Sequence, residues 1–288
     1  MRVETVDDLR FGIGEGALWD MQAGHFLAVD IMAQQIVRYD PKSREVERFD
    51  VGQIIGSLAL TKDGKAVVGL ASGVHLFDFE SGKATLLVDI EPDNRSLLLT
   101  EGKADRAGRF LVSSFSTTMK DPVGSLYSVS PDGASEKLRD GIIVPNGLAW
   151  SPNGKTLYFA DSERFTIYAY DYDLGSGRIS GERVFANTEE LGGIPDGGTT
   201  DDEGNYWVAI CKAGVVVCYG SNGVIKTKIE LPTKWVASVT FGGERLDQLF
   251  ITSLDPSLMN LGYDPNGGKL FKVSGLGVTG LAADRFGG

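Results

Sequence analysis

Residues 144–162, VPNGLAWSPNGKTLYFADS, hold an Asn-Gly step, an apolar run at 148–150, a Ser-Pro-Asn-Gly turn, a second apolar run at 156–160 and an acidic end. Two short aromatic and aliphatic runs across such a turn predict a β-hairpin. The same unit recurs along the chain. Glu15-Gly16-Ala17-Leu18-Trp19 leads through Ala23-Gly24 into 26–30. Glu101-Gly102-Lys103-Ala104-Asp105 leads through Ala107-Gly108 into 110–114, and Asp196-Gly197-Gly198-Thr199-Thr200 leads through Glu203-Gly204 into 206–210. Weaker copies occupy 56–70 and 238–253. The turn glycines, Gly24, Gly64, Gly108, Gly154, Gly204 and Gly243, are roughly 40 to 50 residues apart, which is the period of a four-stranded propeller blade. Six copies predict an all-β fold, a six-bladed β-propeller forming one domain over 1–288. Segment 3–9 alternates loosely ahead of the first inner strand, so in a closed ring it becomes the outermost strand of the last blade. The inner strand of blade three is placed at 104–105 and that of blade six at 239–241. The loop 116–123 of blade three is longer than its counterparts and is expected to overhang one end of the channel. No helix of any length is indicated.

Composition alters this picture in a few places. With 288 residues, 42% of them hydrophobic, the chain can bury a sizeable core. Length alone suggests about two domains, a prior that the unbroken repeat overrides. The net charge of -11, with Lys and Arg scattered, leaves no basic stripe of the kind a nucleic-acid binder needs. No apolar run is long enough to span a membrane, and MRVETVDDLRF lacks the apolar core of a signal peptide. The expected compartment is therefore the cytoplasm, with neither nucleic acid nor membrane as partner. Ring closure protects the sheet edges, so a monomer or weak oligomer is expected. Cys211 and Cys218, the only cysteines, fall on adjacent strands of one blade as buried free thiols, and without a His cluster they make a poor zinc site. His25 and His75 lie away from the axis and there is no G-x-S-x-G elbow, which excludes triad chemistry.

The residue opening each innermost strand of a propeller faces the axis. The repeats place Glu15, Glu101, Asn146 and Asp196 at that position, each before a glycine; the weaker copies offer Gly56-Ser57 and Ala237-Ser238. Taken singly, each step is a turn before a strand. In register, they bring three carboxylates and an amide oxygen into one small space, where like charges raise one another's pKa. A divalent cation resolves the repulsion, and such hard oxygen ligands suit Ca²⁺, Mg²⁺ or Mn²⁺ and tolerate Zn²⁺.

GEGALWD at 14–20, the 144–162 stretch, PDGGTTDDEGNYWVA at 195–209, GKADRAGRF at 102–110 and GGKLFKV at 267–273 together resemble the senescence marker protein/gluconolactonase/luciferin-regenerating-enzyme-like (regucalcin-like) family over nearly the whole chain. The resemblance implies a six-bladed propeller with one divalent cation in its channel, Ca²⁺ first, that hydrolyses lactones, commonly sugar lactones. By motif it implies Glu15, Asn146 and Asp196 as metal ligands, with Asp196 also the carboxylate nearest the attacking water; in a metal-dependent lactone hydrolase Asp196 or Glu101 is then expected to be the general base. One stretch departs. Where the family often has Arg-x-Asn-Asp-Gly, binding sugar hydroxyls, this chain has Leu98-Leu99-Thr100-Glu101-Gly102. Arg95 is the nearby substitute donor. Leu98, Thr100, Trp235 and Met119 are expected to line a less polar substrate pocket, with Phe115 and Tyr263 beside them. The expected partner is a small-molecule lactone. Two other readings stay open: an esterase or phosphotriesterase on the same scaffold, and a calcium-binding propeller whose ion is structural.

Overall fold

The computed structural model describes residues 1–92, 94 and 96–287 (7 and 8 by their backbone). Six four-stranded antiparallel sheets follow one another around an axis. Their innermost strands are Gly14–Asp20, Ile55–Leu60, Leu97–Ala104, Pro145–Trp150, Ile194–Thr200 and Val236–Gly242. The sixth sheet is completed by the first strand of the chain, Arg2–Arg10, which pairs antiparallel with Lys269–Ser274, Val3 opposite Val273 and Thr5 opposite Phe271. The molecule is the six-bladed β-propeller that the repeat predicts, closed as segment 3–9 suggests.

Local chemistry explains the repeat. All six turn glycines have positive φ, between 69° at Gly154 and 87° at Gly243, a region that side chains disfavour. In five of the turns a side chain at the start accepts a backbone N–H: Asp20 from Gln22, Thr61 from Lys65, Asp105 from Ala107, Ser151 from Thr156 and Asp201 from Asn205. Second strands such as His25–Asp30 and Tyr206–Cys211 are apolar on both faces because a blade packs on each side. Outermost strands such as Val46–Asp50 and Ile225–Glu230 alternate and carry Lys, Arg and Glu, which blunts the exposed edge.

The core is a ring of layers between blades. Phe250 of blade six stacks on Trp19 and Phe26 of blade one at 5.2 and 5.5 Å, closing the seam where the two ends of the chain meet. Tyr158 and Tyr206 stack at 4.8 Å between blades four and five. All the inner strands start earlier than the sequence suggests, most of all those of blades three and five, the latter from Ile194. That of blade three begins at Leu97, because the unalternating run Leu97-Leu98-Leu99 pairs with 114–116, and that of blade six begins at Val236. The described residues contain no α-helix, only single 3-10 turns at Ser162–Arg164, Glu189–Leu191 and Pro256–Met259.

Inner strands open at the end of the channel that holds the sequence-predicted site. Residues 279–287 cross the opposite end. Thr279 bonds Asp202, Gly280 donates to the Leu246 carbonyl, Phe286 to that of Leu60 and Gly287 to that of Gly108. Arg285 pairs with Asp20 at 2.5 Å. Between this strap and the inner strands lies a cavity of about 100 Å³ bordered by Lys103, Thr200, Thr240 and 281–284.

Candidate metal centre

All six innermost strands break register at one level: between Glu15 and Leu18, Ile55 and Ser57, Leu99 and Gly102, Asn146 and Ala149, Pro195 and Gly198, and Val236 and Val239. A bulge takes a side chain out of the ladder and re-aims it, here toward the axis. The glycine after the re-aimed residue is most constrained at Gly147, where φ is 65° and an added Cβ would stand 2.5 Å from the Tyr206 hydroxyl. That hydroxyl donates to the Gly147 carbonyl at 2.7 Å. The three carboxylates come from blades one, three and five. Blades two and six fill the position with Gly56, whose missing Cβ makes room for the Thr100 Cα, and with Ala237.

Glu15 and Asp196 meet. Both are buried, with their carboxyl groups within hydrogen-bonding reach of each other. Burial pushes Glu15 well above the ordinary carboxylate range, and the charges of Asp196 and Glu101 push it further. Asp196 is raised too, first by burial and then by Glu101, against the lowering effect of the Glu15 hydrogen bond. Glu101 turns aside. Its Oε1 accepts the Leu148 N–H at 2.9 Å; burial raises its pKa, while Lys103 and that N–H oppose the rise.

Lys103 is a site residue that sequence reasoning missed. Its ammonium donates to the Gly198 carbonyl across the channel, with its pKa lowered by burial and supported by Glu101 and Glu15. The only signal was its place two residues beyond Glu101 on the same strand. Asn146 is fixed through its amide nitrogen, which donates to Ser162 Oγ at 2.9 Å, so its Oδ1 stays available. Among the described residues no three of His, Cys, Asp and Glu form a ready-made metal cluster. What the fold provides is the Glu15–Asp196 pair, with the Asn146 amide on the strand beside that of Asp196. The donor set fits a hard divalent cation, whose charge would relieve the cost of two buried carboxyls side by side.

Of the residues expected to line a substrate pocket, Leu98 and Thr100 are half-buried, and Leu98 pairs with Phe115 across the strands. Trp235 is half-buried, Met119 is 44% exposed at its loop tip and Tyr263 is 84% exposed. Arg95 lies outside the described residues. His75 bonds the Gly73 carbonyl and Ser72 in a third strand, as expected of a structural histidine. Cys211 and Cys218 are buried free thiols, and burial holds both in the thiol form.

Comparison with known proteins agrees with this fold. The family model described as the SMP-30/Gluconolactonase/LRE-like region matches residues 13–255. The chain belongs to this family. Regucalcin of Xenopus laevis is 33% identical over 100% of this chain and 99% of its own, and human regucalcin is 30% identical with the same coverage. Among solved structures, a luciferin-regenerating enzyme superposes with a TM-score of 0.91 at 28% identity, covering 99% of both chains. The Agrobacterium tumefaciens regucalcin, described as a calcium-binding protein, gives a TM-score of 0.91 at 25% identity, covering 98% of this chain and 96% of its own. Family membership supports a lactonase or a calcium-binding propeller.

Proposed function

We propose that the chain is a divalent-cation-dependent lactonase acting on lactones less hydroxylated than gluconolactone. The observation that carries this reading is the buried Glu15–Asp196 pair at the channel mouth, with Asn146 beside it and Glu101 free to act separately. Glu15, Asn146 and Asp196 would hold the ion, Ca²⁺ first on the all-oxygen donor set, with Zn²⁺, Mn²⁺ or Mg²⁺ as substitutes. When bound, such an ion polarises an ester carbonyl and lowers the pKa of water. The chain's own groups handle the proton. Asp196 or Glu101 takes it from the attacking water as the water oxygen adds to the acyl carbon. The ring C–O bond then breaks and the proton passes to the departing alkoxide, giving a hydroxy acid. Burial raises the proton affinity of both carboxylates, which suits a base. Lys103 keeps that of Glu101 from rising further.

Substrate preference follows from the rim. Leu98 offers no donor and Thr100 a single hydroxyl where a guanidinium and an amide would bind sugar hydroxyls. Desolvating a hydroxyl without a partner costs about 1–3 kcal/mol, whereas an alkyl substituent loses nothing against Leu98, Phe115 and Trp235. A second reading, an ion that is structural only, is favoured by the description of the Agrobacterium tumefaciens neighbour as calcium-binding. The test is hydrolysis of gluconolactone and of simple alkyl γ- and δ-lactones, with Ca²⁺ and after chelation. The expected result is a higher kcat/KM for the alkyl lactones, lost on chelation. Preference for gluconolactone overturns the substrate assignment, and absence of turnover with ion bound favours the structural ion.

A further inference from the structure

In front of each of the three carboxylates, the preceding peptide carbonyl accepts a hydroxyl proton from the neighbouring blade. Thr252 Oγ1 donates to Gly14 O, Ser57 Oγ to Thr100 O and Ser162 Oγ to Pro195 O, each at 2.6 Å. All three donors are fully buried, at 0% exposure. The bonds run from blade six to one, two to three and four to five, so every second seam carries one. Each reaches the peptide that opens a bulge, and the orientation of that peptide sets where the next side chain points.

We propose that Thr252, Ser57 and Ser162 are positioning residues of the channel site, and that Ser162 also decides which end of the Asn146 amide faces the ion. The proposal rests on the reading of Asn146 and Asp196 as cation ligands. Its core is proton counting. A serine hydroxyl has one proton, and that of Ser162 goes to Pro195 O. Toward Asn146 the serine can then only accept, which it does from Nδ2 at 2.9 Å. A turned amide would set its oxygen against a lone pair of Ser162 and present NH₂, a donor, to a cation. One buried hydroxyl thereby orients ligands from two blades: the Asn146 amide in blade four and the Asp196 peptide in blade five.

The experiment is calorimetric titration of the ion-free protein with Ca²⁺, with folding checked by circular dichroism. Ser162→Ala is expected to weaken Ca²⁺ binding by about 10–100-fold, the usual effect of losing a group that orients a metal ligand. Ser57→Ala removes an equivalent bond behind Glu101, outside the ligand set, and is expected to leave Ca²⁺ affinity within about twofold while lowering kcat. Asn146→Asp supplies oxygen at both ends of the side chain, so in that background the Ser162→Ala loss should shrink to the share that runs through the Pro195 peptide. If Ser162→Ala does not fold, Ser162→Cys takes its place, a slightly larger side chain with only a weak donor. Unchanged affinity in the Ser162 variant overturns the proposal. An undiminished loss in the Asn146→Asp background overturns the assignment of the amide orientation to Ser162. A wild-type chain that binds no Ca²⁺ overturns the site reading and this proposal with it.

Discussion

Replacing Asp196 by Asn should make the ion-free protein more stable and the ion-loaded protein lose its advantage. In the ion-free fold Glu15 and Asp196 share a proton in a buried site, with Glu101 adding charge. A carboxyl with an ordinary pKa near 4 that is held protonated at pH 7 gives up about 3 units, and one unit is about 1.4 kcal/mol. The strain is thus on the order of 4 kcal/mol as an upper bound, because relaxation of the pair reduces it. Asn is nearly isosteric, carries no charge, and its Oδ1 or Nδ2 can still bond the Glu15 carboxyl. For a protein of this size 1 kcal/mol moves Tm by about 2–4 °C, so a rise of several degrees is expected in chelator. Added Ca²⁺ should stabilise wild type by about 2.7 kcal/mol at 100 times Kd and about 4.1 kcal/mol at 1,000 times Kd. The variant, short of one ligand charge, should gain far less. Scanning calorimetry of both proteins with and without Ca²⁺ reads the two effects separately. A lower ion-free Tm for Asp196→Asn, or an equal Ca²⁺ increment in both proteins, would refute the reasoning.

The same pair sets a pH dependence. Both folded pKa values are raised above the unfolded ones, so the stability that protonation supplies is full below about pH 4 and is lost as pH climbs through the folded values. Ion-free Tm should therefore fall between pH 5 and pH 8, and the Ca²⁺ increment should grow because the ion displaces a proton; equal increments at both pH values would contradict this. Gly147→Ala should cost about 2–4 kcal/mol in urea unfolding, since it combines positive φ with a clash against the Tyr206 hydroxyl, whereas Gly24→Ala, with positive φ and nothing within 4 Å, should cost about 1 kcal/mol. Similar losses at the two positions would rule out the clash.

The periodic features were legible from residues alone. Turn glycines and their side-chain acceptors recur at fixed offsets, so the number of blades and the level of Glu15, Asn146 and Asp196 follow from counting. The site's partners do not recur. Ser162 and Thr252 are hydroxyls in or beside strands that the repeat does not single out, Ser57 stands out only as the neighbour of Gly56 in a weaker copy, and the acceptors of Ser162, Ser57 and Thr252 lie 33, 43 and 238 residues away. Which carboxylates touch was equally hidden. Equivalent positions suggest three alike, yet Glu101 is drawn off by the Leu148 N–H and Lys103, leaving Glu15 with Asp196. The inner strand of blade three was cut short because Leu97-Leu98-Leu99 has no alternation to mark it as strand. The strap over the far end of the channel has no repeat to betray it.

The pairing of Arg2–Arg10 with Lys269–Ser274 also has a consequence for birth on the ribosome. Strand Arg2–Arg10 finds its partner only after all the strands between the two have been translated. At 5–20 residues per second that interval is on the order of 10–50 s, during which a strand with free N–H and C=O groups stands open to any passing edge. Early blades can condense one on another as they emerge, but the last seam and the Glu15–Asp196 encounter must wait. The waiting strand is open to misassembly throughout that interval, and slow codons anywhere between the two partners lengthen it equally.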